Sequence, residues 1–306
     1  MSGKLAFLMN EAGVFWQGLI DELYASDIKL SIVPSKVAAT TVNVADVAFT
    51  SLYGERVHGY LIQPQRDHTS PLVIDYLGYM NHLEDPMQFY HWPSIGFSVL
   101  VIDNRGQGGK TLDTSPYAMT YGKMPMGQGF TDPDDFYMKR VIADHLLELK
   151  IAHDLVASSG QPLFLRGGSQ GGGLATMIGA LSPYDLTAIF SDVPSQSNLM
   201  ARIDARAGSY GVIGEYLAVY PEKRAAVERT MRFYDTQFFA AQIKAPVFAS
   251  CGDQDTTCPM ADYLPTFDQI QSPKELKVYT GHAHEGGGIA RIRWEVDKAA
   301  TLAQRV

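Results

Sequence analysis

The chain has 306 residues, of which 46% are hydrophobic and 19% are charged. A chain of this length and apolar content can bury a large core, and α/β chains of this size commonly form one domain. Its net charge of -8, its pI near 5.5 and the lack of a long lysine or arginine run argue against nucleic acid or an anionic membrane as the main partner. We therefore expect one domain over residues 1–306 and a small-molecule substrate.

Two further features bear on the cellular compartment. The apolar patch at residues 5–9 is interrupted by Asn10 and Glu11, so it is too short for a secretory h-region or a transmembrane helix. Cys251 and Cys258 are the only cysteines, which excludes a disulfide scaffold and a cysteine-rich zinc site. They are close enough in sequence to oxidise to each other, but we expect two reduced thiols in a cytoplasmic protein with no membrane partner.

Strand signals come first along the chain. Residues 41–64 predict two antiparallel strands, because an imperfect alternation is followed by a turn and a second β-rich run. Continuous apolar runs then follow, which are typical of strands buried on both faces of a parallel sheet. These runs span residues 72–74, 98–102, 163–165, 188–190, 247–249 and 276–279.

Helical signals fall between the apolar runs. The clearest predicted helix has Asp132 as its N-cap and Pro133 at its first position, and it runs to Ser159. We interpret Asp134 and Asp135 as carboxylates of the helix start rather than as a catalytic pair. The alternation predicts an α/β fold with a doubly wound sheet, in which ligands bind outside the carboxyl ends of the strands.

One stretch lacks strand signals altogether. Residues 195–243 are apolar and aromatic, and residues 222–232 look helical with Glu and Arg spaced for surface pairs. An inserted helical cap over the active site would explain this composition. A satellite core is the alternative explanation of this composition, and we favour the cap.

The strongest chemical signal is Ser169, which lies in Gly-Gly-Ser-Gln-Gly at residues 167–171. An apolar run precedes it and a helix-like run follows at residues 174–178, which is the strand-turn-helix context of a Gly-x-Ser-x-Gly nucleophile elbow. Glycines beside the serine let the chain turn sharply and let substrate approach the hydroxyl. We expect Ser169 to be a catalytic nucleophile.

An acid and a base follow in the order that this topology requires, namely serine, acid, histidine. The loop after the penultimate predicted strand offers Asp253 and Asp255, and Asp255 is favoured because it lies farther into the loop. The loop after the last strand offers His282 and His284, and His284 is favoured because it lies beside a glycine run. The histidine would accept the serine proton and the aspartate would fix its tautomer.

Attack on a carbonyl creates an oxyanion that needs two preorganised donors. One should be the backbone N–H of Gln170, the residue after the nucleophile, and the other an N–H of the loop at residues 76–79.

Three groups of residues resemble the signature motifs of carbohydrate esterase family 7, the acetyl xylan esterase and cephalosporin C deacetylase group. They are Arg-Gly-Gln at 105–107, Gly-Gly-Ser-Gln-Gly at 167–171 and His-Glu at 284–285. Further similarity lies at residues 76–79, 92–96, 132–137, 229–235 and 255–259. The resemblance covers the chain roughly from Val42 to the C-terminus and leaves residues 1–40 as a divergent segment.

The resemblance implies an α/β-hydrolase fold, with a mostly parallel sheet, antiparallel N-terminal strands and a small helical insertion. It favours Asp255 and His284, because the family's acid precedes a Cys-Pro pair and its base precedes Glu. It also assigns the second oxyanion N–H to Tyr79. Neither a metal nor a cofactor is implied. The resemblance also implies small acetylated substrates and homo-oligomers, which are often ring-like hexamers that enclose the active sites.

Supporting roles are expected for Arg105, Gln107 and Glu285. We predict an ion pair between Arg105 and Glu285 that ties the histidine loop to the sheet. The chain departs from the family after Tyr79, where larger residues occupy 80–84 at the mouth of the pocket. Among these residues, Asn81 and His82 are either substrate contacts or plain loop residues.

These observations predict a serine esterase that removes acetyl groups from small acetylated carbohydrates, such as xylo-oligosaccharides, and from related esters such as cephalosporin C. The alternative is a general carboxylesterase, thioesterase or peptidase of the same fold. A catalytically inactive hydrolase-like binding protein is a third hypothesis, and the presence of serine, acid and histidine together argues against it. The sequence leaves the natural ester and the acyl-chain limit open.

Overall fold

The computed structural model describes residues 10–37, 41–65 and 69–304. Its centre is a nine-stranded sheet. The strands are β1 Ser31–Pro34, β2 Val42–Thr50, β3 Arg56–Pro64, β4 Leu72–Tyr76, β5 Ser98–Ile102, β6 Leu163–Gly168, β7 Ala188–Asp192, β8 Val247–Gly252 and β9 Lys274–Tyr279. The apolar patch at residues 5–9 lies outside the described residues.

The strand order is β1-β2-β3-β5-β4-β6-β7-β8-β9. The first three strands pair antiparallel with one another, and β3 also pairs antiparallel with β5. All pairs from β5 through β4 to β9 are parallel. The predicted fold class, an α/β-hydrolase with a mostly parallel sheet and antiparallel N-terminal strands, is therefore confirmed.

Helices cover both faces of the sheet. They are α1 Glu11–Ala25, α2 His91–Ser94, α3 Tyr137–Ala157, α4 Gln170–Leu181, α5 Leu199–Asp204, α6 Gly211–Val219, α7 Arg224–Met231, α8 Met260–Gln269 and α9 Gly288–Ala303. Side chains of a strand point alternately to the two faces. Accordingly Leu72 and Ile74 join the larger apolar cluster, which includes α1, α3 and α4, while Val73 joins the cluster next to α2 and α9. Within the described ranges, no helix combines the length and the apolarity that a membrane crossing requires.

The predicted start of the long helix is wrong. Asp132 accepts the N–H of Asp134 at 2.9 Å and so closes a turn, and α3 begins only at Tyr137. The reason is Phe136, whose backbone is extended (ψ 131°) and whose ring is fully buried. Burial of that ring fixes a non-helical residue between the acidic turn and the helix.

Residues 195–243 contain no strand, as predicted, and form α5, α6 and α7 with short 3-10 turns. Their buried side chains belong to the main apolar cluster rather than to a separate one. Examples are Ile203, Tyr210, Tyr234 and Phe239.

Candidate active site

Ser169 stands on a sharp turn between β6 and α4. Its backbone angles, φ 59° and ψ -119°, lie outside the regions that side-chain-bearing residues normally adopt. Close packing makes this turn possible, because a Cβ on Gly171 would collide with the carbonyl of Tyr76, and one on Gly172 would lie 2.6 Å from the carbonyl oxygen of Asp192. The glycines therefore let α4 start directly against β4 and β7, and the turn lifts the serine hydroxyl above the sheet.

A continuous hydrogen-bonded chain joins three side chains at this edge. Ser169 Oγ lies 3.0 Å from His284 Nε2, and His284 Nδ1 lies 2.8 Å from Asp255 Oδ2. The three residues follow β6, β9 and β8, whose carboxyl ends meet at one edge of the sheet. With Asp255 accepting the Nδ1–H, Nε2 is left as the acceptor for the serine proton.

Asp255 is held as a carboxylate. Burial alone would raise its pKa, but the hydrogen bond from His284 and those from the backbone N–H groups of Cys258 and Thr257 lower the pKa below its usual value. Its other oxygen accepts these two N–H groups at 2.9 and 2.8 Å. Two fixed donors and the imidazole thus leave the carboxylate one orientation.

The neighbouring candidates lie elsewhere. Asp253 is exposed and accepts the N–H of Gly281 at 2.7 Å. His282 is partly exposed, and its Nδ1 lies 2.9 Å from Glu285 Oε1. The structure therefore brings Asp255 and His284, not these neighbours, to Ser169.

One glutamine connects the loop that carries one expected oxyanion donor, Tyr79, to the start of α4, which carries the other, Gln170. Gln170 is the first residue of α4, where a backbone N–H has no partner within the helix. Met80, which follows Tyr79, donates its N–H to Gln107 Oε1 at 2.8 Å. Gln107 Nε2 donates to Gln170 Oε1 at 3.0 Å. The fully buried Gln107 side chain therefore holds the loop after β4 at a fixed separation from the start of α4.

The predicted ion pair between Arg105 and Glu285 is wrong. Arg105 is fully buried and donates to both oxygens of Asp144 on α3, at 2.8 and 3.0 Å, and to Glu55 at 3.3 Å. Glu285 is exposed at the other end of the site and contacts His282. A buried guanidinium must be paired where it is buried, and Arg105 therefore ties the loop after β5 to α3 and to the turn between β2 and β3.

Ser169 and His284 line a cavity of about 630 Å³. The loop after β4 lines it with Met80, Asn81 and His82, and the loop after β9 contributes Glu285. No residue of 195–243 is among the residues that line this cavity. Within that segment, Ser195 donates its N–H to the carbonyl of Ser169 at 3.0 Å, and Arg202 donates to the carbonyl of Thr257 at 2.8 Å, beside Cys258.

A buried ionic network forms the floor of the cavity, and the sequence reasoning missed it. Arg166 donates to Asp75 and Asp192 at 3.0 Å each and to Glu295 at 3.3 Å. Arg291 pairs with the same Asp192 and, at 2.9 Å, with Glu295. A usable signal existed, because charged residues stood at the ends of apolar runs on β4, β6 and β7, which are neighbours in the sheet.

A second buried relay supports the loop after β4. Asn104 donates from Nδ2 to the carbonyl of Leu77 at 3.4 Å, so its Oδ1 must accept from His145 Nε2 at 2.8 Å. His145 Nδ1 then carries no proton and accepts a hydrogen bond from the protonated Glu148 Oε2 at 2.7 Å. Burial supports this arrangement, since it lowers the pKa of His145 to about 3 and raises the pKa of Glu148 well above its usual value.

Within the part of the chain that the structure describes, no group of three or more His, Cys, Asp or Glu side chains is placed to hold a metal ion. Both cysteines are free, buried thiols.

With this geometry described, comparison with known proteins identifies the family. Residues 9–297 match the acetyl xylan esterase (AXE1) family. The chain belongs to this family. The match to the acetyl xylan esterase family confirms the resemblance drawn from the motifs. It also extends that resemblance to residue 9, and therefore into the segment that the motifs left outside.

Individual relatives agree with this membership. The acetyl esterase Axe7A of Xylanibacter ruminicola is 28% identical over 279 residues, which are 88% of this chain and 62% of the relative, so the chain spans less than two thirds of that protein. The acetyl xylan esterase from Paenibacillus sp. R4 has a TM-score of 0.84 and 26% identity, covering 93% of both chains. Acetyl xylan esterase 1 from Thermoanaerobacterium sp. JW/SL YS485 has a TM-score of 0.85 and 24% identity, covering 94% of this chain and 93% of the other.

Proposed function

We propose that the protein is a serine esterase that removes acetyl groups from small acetylated carbohydrates such as xylo-oligosaccharides. The observation that carries this proposal is the chain from Ser169 Oγ through His284 to Asp255, at 3.0 and 2.8 Å, at the end of a cavity. Membership of the acetyl xylan esterase family supports acetyl esters as the substrate class. Cephalosporin C is a second, related ester that the motif resemblance brings into the proposal.

The reaction follows from proton chemistry. His284 Nε2 takes the proton of Ser169 as its oxygen attacks the acetyl carbonyl, and Asp255 stabilises the imidazolium that forms. The backbone N–H groups of Tyr79 and Gln170 stabilise the negative charge on the carbonyl oxygen by donating hydrogen bonds to it. His284 then returns the proton to the departing sugar oxygen, which leaves acetyl on Ser169. Water, deprotonated by the same imidazole, releases acetate and restores the serine.

The test is hydrolysis of p-nitrophenyl acetate and of acetylated xylotriose by the parent protein and by Ser169→Ala. We expect the substitution to lower kcat/KM at least about 10³-fold, because no other group takes over the attack. Ser94→Ala, at an exposed serine outside the cavity lining, is the matched control and should retain full activity. Equal hydrolysis by parent and Ser169→Ala would contradict the assigned nucleophile. Inactivity of the folded parent on both esters would favour a binding protein.

We further propose a homo-oligomer, with a hexamer expected from the family resemblance, and a cytoplasmic location. The two free, buried thiols are compatible with a reducing compartment. Light scattering of the purified protein measures the oligomeric state, and fractionation of expressing cells measures the location.

A further inference from the structure

The cavity beside Ser169 lies where the alcohol part of the ester must be. In the proposed reaction, His284 returns a proton to the departing oxygen, so the alcohol has to lie against the imidazole. Both Ser169 and His284 line this cavity, and its volume of about 630 Å³ is within the range of small-molecule sites, roughly 300–1,000 Å³. The leaving alcohol therefore has space on the side of the imidazole.

One wall of the cavity is held in place by two hydrogen bonds. Met80 donates its N–H to Gln107 at 2.8 Å, and Leu83 donates its N–H to Asp103 Oδ1 at 2.8 Å. The residues between and just after these anchors, Asn81, His82 and Glu84, all line the cavity. A wall fixed at both ends presents its side chains in a set position, which is what specificity towards a substrate requires.

The charges of the lining are unbalanced. Four carboxylates line the cavity against two guanidinium groups. On the floor, Asp75 and Asp192 are buried and paired with Arg166, and Arg291 pairs with Asp192 as well.

The two remaining carboxylates stand at the mouth. Glu84 belongs to the loop after β4 and Glu285 to the loop after β9, and their side chains are 71% and 54% exposed. Glu84 lies 3.6 Å from His82, whereas Glu285 lies 2.9 Å from His282 and accepts the N–H of Ala283 at 3.3 Å. Among the described residues, neither carboxylate pairs with a lysine or an arginine. The lining of the cavity therefore includes two exposed carboxylates that a substrate charge would meet.

We propose that this cavity binds the alcohol part of the ester, and that Glu84 and Glu285 make it selective for neutral polyhydroxylated alcohols over anionic ones. The inference rests on the proposed esterase function and narrows its substrate class. It favours acetylated neutral sugars over acetylated uronic acids.

A matched pair of esters tests the inference, namely methyl O-acetylglucoside and methyl O-acetylglucuronide, which differ in one carboxylate. The measured quantity is the ratio of their kcat/KM values at pH 8. For a separation of about 8 Å in a water-like dielectric, Coulomb's law gives a two- to threefold effect per carboxylate, so we expect a ratio of about 5 at low salt. At 1 M salt, where the screening length is about 3 Å, the ratio should approach 1.

The variant is Glu84→Gln combined with Glu285→Gln, with its folding checked by its thermal unfolding midpoint. We expect the low-salt ratio to fall from about 5 to below about 2. Glu222→Gln removes one negative charge, as each single substitution does, from an exposed site outside the cavity lining and should keep the parent's ratio. If the double substitution fails to fold, each single substitution should give about half of the change on a logarithmic scale.

Two results would overturn the inference alone. One is a parent ratio near 1 at low salt, and the other is a ratio that the double substitution does not lower, in each case with p-nitrophenyl acetate hydrolysis that depends on Ser169. If the folded parent hydrolyses none of the three esters, the esterase function itself fails and the inference fails with it.

Discussion

Replacing Gln107 with Leu tests whether one buried side chain positions both oxyanion donors. The glutamine accepts the N–H of Met80 at 2.8 Å and donates to Gln170 and to Tyr137 Oη at 3.0 Å each. Leucine has a similar volume and can make none of these bonds. The expected consequence is a loss of fixed separation between the loop that carries the Tyr79 N–H and the start of α4.

The structure allows both magnitudes to be worked out for Gln107→Leu. Three hydrogen bonds, each contributing about 1 kcal/mol net, predict a free energy of unfolding lower by roughly 3 kcal/mol. Deleting one oxyanion donor in other hydrolases lowers kcat by about 10²–10³-fold. Because the donors here are displaced rather than deleted, we expect kcat to fall by about 10–100-fold. KM should change less than about threefold, since the oxyanion exists only in the transition state.

The assay is steady-state hydrolysis of p-nitrophenyl acetate together with urea unfolding. Tyr137→Phe is the matched control. It removes a hydroxyl that accepts from Gln107 and donates to the carbonyl of Arg105 at 2.6 Å, but it keeps the Met80 bond. It should lower the free energy of unfolding by about 1–2 kcal/mol and change kcat by less than about threefold. If Gln107→Leu loses the predicted stability yet keeps kcat within twofold of the parent, Gln107 has no positioning role.

Two other predictions concern the acid and the second relay. Asp255→Asn should lower kcat for p-nitrophenyl acetate about 10³–10⁴-fold with little change in KM, because the amide favours the wrong tautomer of His284; a loss below tenfold would contradict the assigned acid. Glu148→Gln should stabilise the protein increasingly as pH rises. The folded-state pKa of Glu148 is raised, so its contribution to the parent's stability is greatest below the unfolded pKa of about 4.3. Above that pH the parent loses about 1.4 kcal/mol of stability per pH unit until the folded pKa is reached. Glutamine does not titrate, so the variant has no such loss. Urea unfolding of both proteins at pH 5, 6, 7 and 8 measures the difference, and a difference independent of pH would exclude a protonated Glu148.

The sequence predicted the parallel strands well because all of them except the edge strand β9 are buried on both faces. Each of the six continuous apolar runs lies within one of β4 to β9. In contrast, β1 and α1 were not predicted. β1 has four partly or fully exposed residues at the sheet edge, so burial leaves no pattern there. The helix α1 docks through Trp16, whose indole N–H donates to the carbonyl of Phe233 at 2.8 Å, a contact across 217 positions.

Partners of buried charges were harder to predict than the residues themselves. Arg105 and Glu285 were each singled out by a motif, and both lie near the carboxyl edge of the sheet. The predicted ion pair between them was wrong because it assumed that residues of two motifs lie next to each other. The burial of Arg105 instead determined its partner. Asp144 faces Arg105 from α3, in the interior of a helix where sequence periodicity marks only apolar positions.

The floor of the cavity indicates how such partners can be found from a sequence. Once the strand order is known, a charged residue at the end of one buried parallel strand requires an opposite charge on a neighbouring strand, because an unpaired buried charge is too costly. Asp75 and Arg166 are register partners on β4 and β6, and Asp192 lies on β7, next to β6. The same reasoning explains why these charges lie below Ser169 rather than elsewhere. The three strands end at the elbow, so their last polar residues have water-accessible cavity above them and an apolar core below.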